Sequence, residues 1–134
     1  MDINLKNFNL AQCIHGIMVW PTNDSVIGKC LPLYGEWSEG ENIIMSEYIN
    51  EGDTVIDIGA NIGTTVLSMS KNVGNTGIVK SFEPQQLMSQ CLNTNLRLND
   101  INSVAVIKLN GEKIYKVQAV YYILKKIKRY LILR

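Results

Sequence analysis

A chain of 134 residues has room for one ordinary domain, and with 46% hydrophobic and 19% charged residues it can bury a core, which excludes wholesale disorder. No run of about 18 apolar residues occurs, so no membrane-spanning helix is expected, and the N-terminal segment lacks the basic and apolar regions of a secretory leader, which points to the cytoplasm. The net charge of +1 is unevenly spread: seven basic residues and no acid lie from Lys113 onward, against six basic and twelve acidic before it.

Residues 13–31 read as a hairpin. The apolar stretch Cys13–Trp20 forms one strand, Pro21, Asn23 and Asp24 supply the turn, and Ser25–Leu31 forms the second strand. A loop rich in Gly and Glu follows. A short helix is expected over 42–50, with Ile44, Met45, Tyr48 and Ile49 on one face and Gly52 as its cap. Thr54–Ile58 is an apolar, β-branched run bounded by turn residues, the pattern of a strand buried on both faces. Gly59–Gly63 breaks it, and a helix begins at Thr64. Ile78–Phe82 repeats the strand pattern. Pro84 suits the first turn of a further helix, in which Leu87, Met88, Cys91, Leu92 and Leu96 share a face. Ser103–Leu109 is a third apolar strand, followed by the turn pair Asn110-Gly111.

Helix and strand alternate from residue 42, which argues for right-handed βαβ units. The expected fold class is therefore α/β: a partial Rossmann-like parallel sheet with flanking helices, preceded by an N-terminal β-hairpin. It divides into strands and loop at 1–41, a cofactor-binding segment at 42–112 and a basic tail at 113–134. Cys13, Cys30 and Cys91 form no CxxC pair and His15 is the single histidine, so no metal site is expected; the cysteines read as reduced thiols and His15 as a strand residue without a chemical role.

The segment 54–65, TVIDIGANIGTT, carries the chemistry. Its strand delivers Asp57 to the carboxyl end of the sheet, where open α/β sheets hold their ligands. Gly59 lets the backbone turn and approach a ligand, and Gly63 lets the next helix pack close to the strand. Glu83, at the end of the second strand, is placed to accept hydrogen bonds from ribose hydroxyls. The dinucleotide pattern G-x-G-x-x-G is missing, because Asn61 stands where the second glycine would be. A carboxylate at Asp57 suits an ammonium and a sulfonium better than a pyrophosphate, which favours S-adenosylmethionine over NAD.

The motifs IDIGANIG and FEP, with LNTNLRLND at 92–100 and the upstream stretch 23–41, resemble the FkbM family of S-adenosylmethionine-dependent methyltransferases over roughly residues 15–112. The resemblance implies a Rossmann-like fold and methyl transfer, often to a hydroxyl oxygen, with a small molecule or glycan as acceptor. It implies cofactor contacts at Asp57, Gly59, Ala60, Asn61, Gly63 and Glu83, and a place near the cofactor for Tyr34, Gly35 and Glu36. The family's fourth strand, with its acidic D-x-E-G segment, has no counterpart here. A truncated chain of doubtful activity is therefore expected, the alternative being a non-catalytic remnant that binds a nucleoside or a partner.

The tail departs from the family pattern. Val117, Val120, Tyr121, Leu124, Ile127 and Leu131 fall on one helical face, with Lys125, Lys126 and Arg129 mostly opposite. A basic amphipathic helix for an anionic surface, a cap over the edge of a half-sheet, and unselected sequence after a frameshift all fit it. An open sheet edge would also favour self-association. Nucleic acid is the disfavoured partner, since the basic cluster comes without a matching fold.

Overall fold

The computed structural model describes residues 6–108 and 131–133. Two antiparallel strands open the chain, β1 at Phe8–Cys13 and β2 at Gly16–Pro21, paired from Phe8↔Pro21 to Cys13↔Gly16. The expected hairpin thus exists, but one strand earlier. Its turn is Ile14-His15, and Cys13–Trp20 spans the turn rather than forming one strand. Residues assigned to a second strand instead form helix α1, Ile27–Tyr34. Ile27, Gly28 and Leu31 are buried, an i, i+1, i+4 spacing that only a helix turns to one side. Gly28 is required by this packing, because a Cβ there would lie 2.7 Å from Cδ1 of the buried Trp20.

Helix α2 spans Glu39–Ser46, three residues ahead of the expected start. The Glu36 carboxylate accepts the Glu39 N–H at 2.8 Å, and Glu39 and Glu41 place acidic charge in the first turn, where the helix dipole favours it. The buried residues in and just after this helix are Asn42, Met45 and Ile49, whereas Ile44 and Tyr48, expected on the same face, are exposed. Gly52 does not cap this helix. It turns the chain at φ 88°, and its N–H bonds Val73 O at 2.9 Å.

From there the alternation runs as the sequence predicts. Strand β3 is Thr54–Ile58, helix α3 Thr64–Val73, strand β4 Ile78–Phe82, helix α4 Gln86–Leu98 and strand β5 Val104–Ile107. Strands β3, β4 and β5 are parallel and adjacent, with Asp57 opposite Ser81 and Ser81 opposite Val106. Helix α3 is buried over Thr64–Ser70 and again at Val73, so it is an interior helix. Its Val66, Leu67 and Met69 join Val55, Val79, Ile62 and Leu92 in the core, with Met18, Trp20 and Leu31 from the N-terminal elements in the same cluster. In α4 the inward face includes Asn95, whereas Leu87 is exposed.

A further strand, β6, covers Leu131–Leu133 and pairs parallel with β3, giving the order β5-β4-β3-β6. This corrects one expectation: Leu131 belongs to a strand, not to a helical face. The same strand covers β3 along Ile56–Ile58. The rest of the tail, 113–130, and the Asn110-Gly111 turn lie outside the described residues. The strand order has a direct consequence. Successive strands step from β3 to β5 in one direction, and the chain then returns to the other side of β3. The crevice between β3 and β6 is therefore a topological switch point, where open α/β sheets bind ligands at the carboxyl ends of their strands.

Candidate site at the carboxyl end of the sheet

The strand–loop–helix segment at this switch point is held in a tight, left-handed turn. Gly59 has φ 87°, Asn61 φ 51° and Gly63 φ 92°. Asn is among the few side-chain-bearing residues that visit this region readily, and here its Oδ1 also accepts the N–H of Ile62 at 2.7 Å. The loop is bound to the end of β4 along its length. Gly59 N–H and Ala60 N–H both donate to Phe82 O, at 2.9 and 3.2 Å, and Gly63 N–H donates to Ala60 O at 2.9 Å.

Glu83 completes this arrangement. One carboxylate oxygen accepts the Asn61 N–H at 2.7 Å and the other accepts the Gln85 N–H at 2.8 Å. The side chain is 4% exposed, so an acid from the end of β4 is fixed beside the glycine loop from β3. A carboxylate has about four acceptor positions, and these two bonds use two of them. All five N–H groups from Gly59 to Gly63 donate to acceptors of the protein itself.

The other predicted residues take more varied places. Asp57, 1% exposed, is the fourth residue of β3, with Ser81 and Ile132 as its register partners on either side. Ala60 is buried. Gly63 does not serve the packing of α3 on its own strand; a Cβ there would lie 2.4 Å from Leu92 Cδ1, so the missing side chain makes room for α4. Tyr34 is exposed at the end of α1, and Gly35 caps that helix through its N–H to Leu31 O at 2.8 Å. Gly35 and Glu36 share only a small crevice with Thr64, the first residue of α3.

His15 has a role that its place in the sequence concealed. It sits in the hairpin turn, with Nε2 2.6 Å from Glu39 Oε2, and Asn42 Nδ2 donates to the same oxygen at 3.1 Å. Burial raises the Glu39 pKa, but the hydrogen bonds from Asn42 and His15 and the charges of His15 and Lys71 outweigh it and hold the carboxyl below the ordinary value. The stability Glu39 contributes is therefore complete above the usual carboxylate range and is lost as pH falls through its lowered pKa. Urea unfolding of wild type and Glu39→Gln should show the full stability gap just above the usual carboxylate range and a shrinking gap below about pH 4. A gap that does not change with pH would contradict this.

The three cysteines are free thiols, and burial pushes those of Cys13 and Cys91 up. Among the described residues no group of three or more His, Cys, Asp or Glu is placed to hold a metal ion, and no helix is long and apolar enough to cross a membrane. A polar cavity of about 470 Å³ opens at the opposite end of the sheet, where Ser70–Asn72, Asn75 and Asp100–Ser103 lead into the amino ends of the strands.

The fold is methyltransferase-like. Among solved structures, a SAM-dependent methyltransferase of Aquifex aeolicus is similar at 26% identity and a TM-score of 0.50, covering 61% of this chain and 42% of its own. TYW2 of M. jannaschii, solved in complex with AdoMet, is 21% identical with a TM-score of 0.59, over 76% of this chain and 43% of its own. Trm5b of Pyrococcus abyssi is 16% identical with a TM-score of 0.61, over 81% of this chain and 30% of its own. The chain thus spans less than half the length of each of these proteins. No protein-family model and no curated protein matches it.

Proposed function

We propose that residues 42–112 form the cofactor-binding part of an S-adenosylmethionine-dependent methyltransferase, with Asp57, Gly59, Ala60, Asn61, Gly63 and Glu83 building the site. The observation that carries this reading is the Glu83 carboxylate, bound to the glycine loop through the Asn61 N–H. Its two remaining acceptor positions match the vicinal hydroxyls of a ribose. Gly59, Asn61 and Gly63 set the turn's geometry through their positive φ angles. Asp57 lies two residues before Gly59, and a carboxylate at that position suits a cationic ligand.

The loop amides argue against a dinucleotide. A pyrophosphate needs main-chain N–H groups free to point at it, and here the five from Gly59 to Gly63 already have acceptors. S-adenosylmethionine brings no phosphate and supplies an electrophilic methyl on a sulfonium. The finer reading, that the chain is FkbM-like and serves methyl transfer to an oxygen of a small-molecule or glycan acceptor, rests on the sequence motifs at 55–65, 77–84 and 92–100. None of the described residues is assigned as a base for that acceptor.

Competition between ligands tests the reading. Labelled S-adenosylmethionine bound to the chain should be displaced by S-adenosylhomocysteine and be unaffected by NAD at the same concentration. Displacement by NAD, with S-adenosylhomocysteine ineffective, would replace this proposal with a dinucleotide site.

A further inference from the structure

Strand β2 has β1 on one edge. On its other edge the partner is a pair of asparagine side chains four residues apart, Asn95 on α4 and Asn99 at its C-terminal cap. Val19 N–H donates to Asn95 Oδ1 at 2.7 Å and Asn95 Nδ2 donates to Val19 O at 3.1 Å. Two residues earlier, Ile17 N–H donates to Asn99 Oδ1 at 2.8 Å and Asn99 Nδ2 donates to Ile17 O at 2.7 Å. Side-chain amides carry the same donor and acceptor as a peptide group, and their i, i+4 spacing of about 6 Å along the helix matches two residues of strand. The fit is close: a Cβ at Gly16 would lie 2.2 Å from Asn99 Oδ1.

Asn95 does one thing that Asn99 does not. Its Nδ2 also donates to Ile62 O at 2.8 Å, inside the Asp57–Gly63 segment. Asn95 and Ile62 are both fully buried, so water cannot replace this bond without opening the core. Asn99 directs its second Nδ2 bond to Asn95 O at 2.7 Å, back onto the last turn of α4. One side chain therefore binds the N-terminal hairpin and the glycine loop together, and its neighbour binds the hairpin alone.

We propose that Asn95 is a positioning residue for the cofactor loop: it fixes the Ile62 carbonyl, and through it the turn from Asn61 to Gly63, and so couples the hairpin to the site. The ligand half of this inference rests on the cofactor reading above; the loop half does not. Because Asn61 donates to Glu83, a loop that shifts at Ile62 also misplaces the acid's partner. The hairpin is thus part of the site's support although none of its residues need touch the ligand.

Amide hydrogen exchange of the free protein separates the two asparagines. In Asn95→Ala, exchange at Asn61, Ile62 and Gly63 should rise roughly tenfold, about the effect of one lost hydrogen bond, together with exchange at Ile17 and Val19. In Asn99→Ala only the hairpin amides should respond. If Asn95→Ala does not fold, Asn95→Leu, which has a similar volume and no amide to donate to Ile62, should give the same loop response. Unchanged loop exchange in a folded Asn95 variant, or an equal loop response in Asn99→Ala, would overturn the proposal. Titration with S-adenosylhomocysteine then reads the ligand half, with affinity falling at least roughly tenfold further in the Asn95 variant than in Asn99→Ala. Equal losses would overturn that half, whereas no binding by wild type would instead remove the cofactor reading and leave the exchange result standing.

Discussion

Gly63→Ala should destabilise the chain by about 2–5 kcal/mol, a large share of the about 5–15 kcal/mol that holds a domain folded. Two independent effects add. At φ 92° an L-residue costs about 1–2 kcal/mol relative to glycine. The new methyl also meets Leu92 Cδ1 at 2.4 Å, and Leu92 is fully buried among core residues, so relief requires repacking at about 1–3 kcal/mol. Chemical denaturation measures the sum. A Leu92→Ala change in the same chain separates the two terms, because it removes the clash and leaves the backbone strain. The pair should therefore be less destabilising than the two single changes added together. Full additivity would mean that the methyl and Leu92 do not meet.

Glu83→Ala carries the second large effect, on binding more than on folding. The part-buried N–H groups of Asn61 and Gln85 lose their acceptor, which should cost about 1–3 kcal/mol of stability, less wherever water enters. Binding of S-adenosylhomocysteine should fall at least about 100-fold, since hydrogen bonds from the ribose to a charged acceptor contribute about 1.5–3 kcal/mol each. Glu83→Gln is the sharper comparison. It keeps the shape, but its single oxygen can serve only one of the two N–H groups, and its NH₂ then faces the other. It should fold better than the Ala variant and bind almost as poorly. Wild-type affinity in Glu83→Gln would show that the acid's second oxygen is not needed.

The central βαβ units were legible because their signals are local. Thr54–Ile58 and Ile78–Phe82 are short apolar runs closed by glycine or proline, and nothing in their neighbourhood competes with that pattern. The strand–turn–helix placement of the candidate site was equally plain, with a glycine break after a buried strand and an acid at the end of the next. The N-terminal region was harder. Phe8–Cys13 carries Asn and Gln at exposed positions and gives no apolar run. In Ser25–Leu31 the apolar residues satisfy both a strand and a helix period, and contact with Trp20 decides for the helix. Least legible were the long-range features. Asn95 looks like a polar residue of a helix, and Asn99 like the end of it, until β2 is laid beside them. The bond between His15 and Glu39 joins residues 24 apart in the chain. The switch point depends on Leu131–Leu133 pairing with Ile56–Ile58, which no local pattern announces.

The most direct test of the account is to map where the ligand binds. S-adenosylhomocysteine titrated into the isotopically labelled chain should produce saturable amide shifts at Gly59–Gly63 and Gln85, around the loop and its acid. The residues of the polar cavity at the opposite end of the sheet, Ser70–Asn72 and Asp100–Ser103, should stay in place. Shifts confined to that far cavity, or no shifts at all in a folded protein, would contradict the assignment of a cofactor site to the carboxyl end of β3.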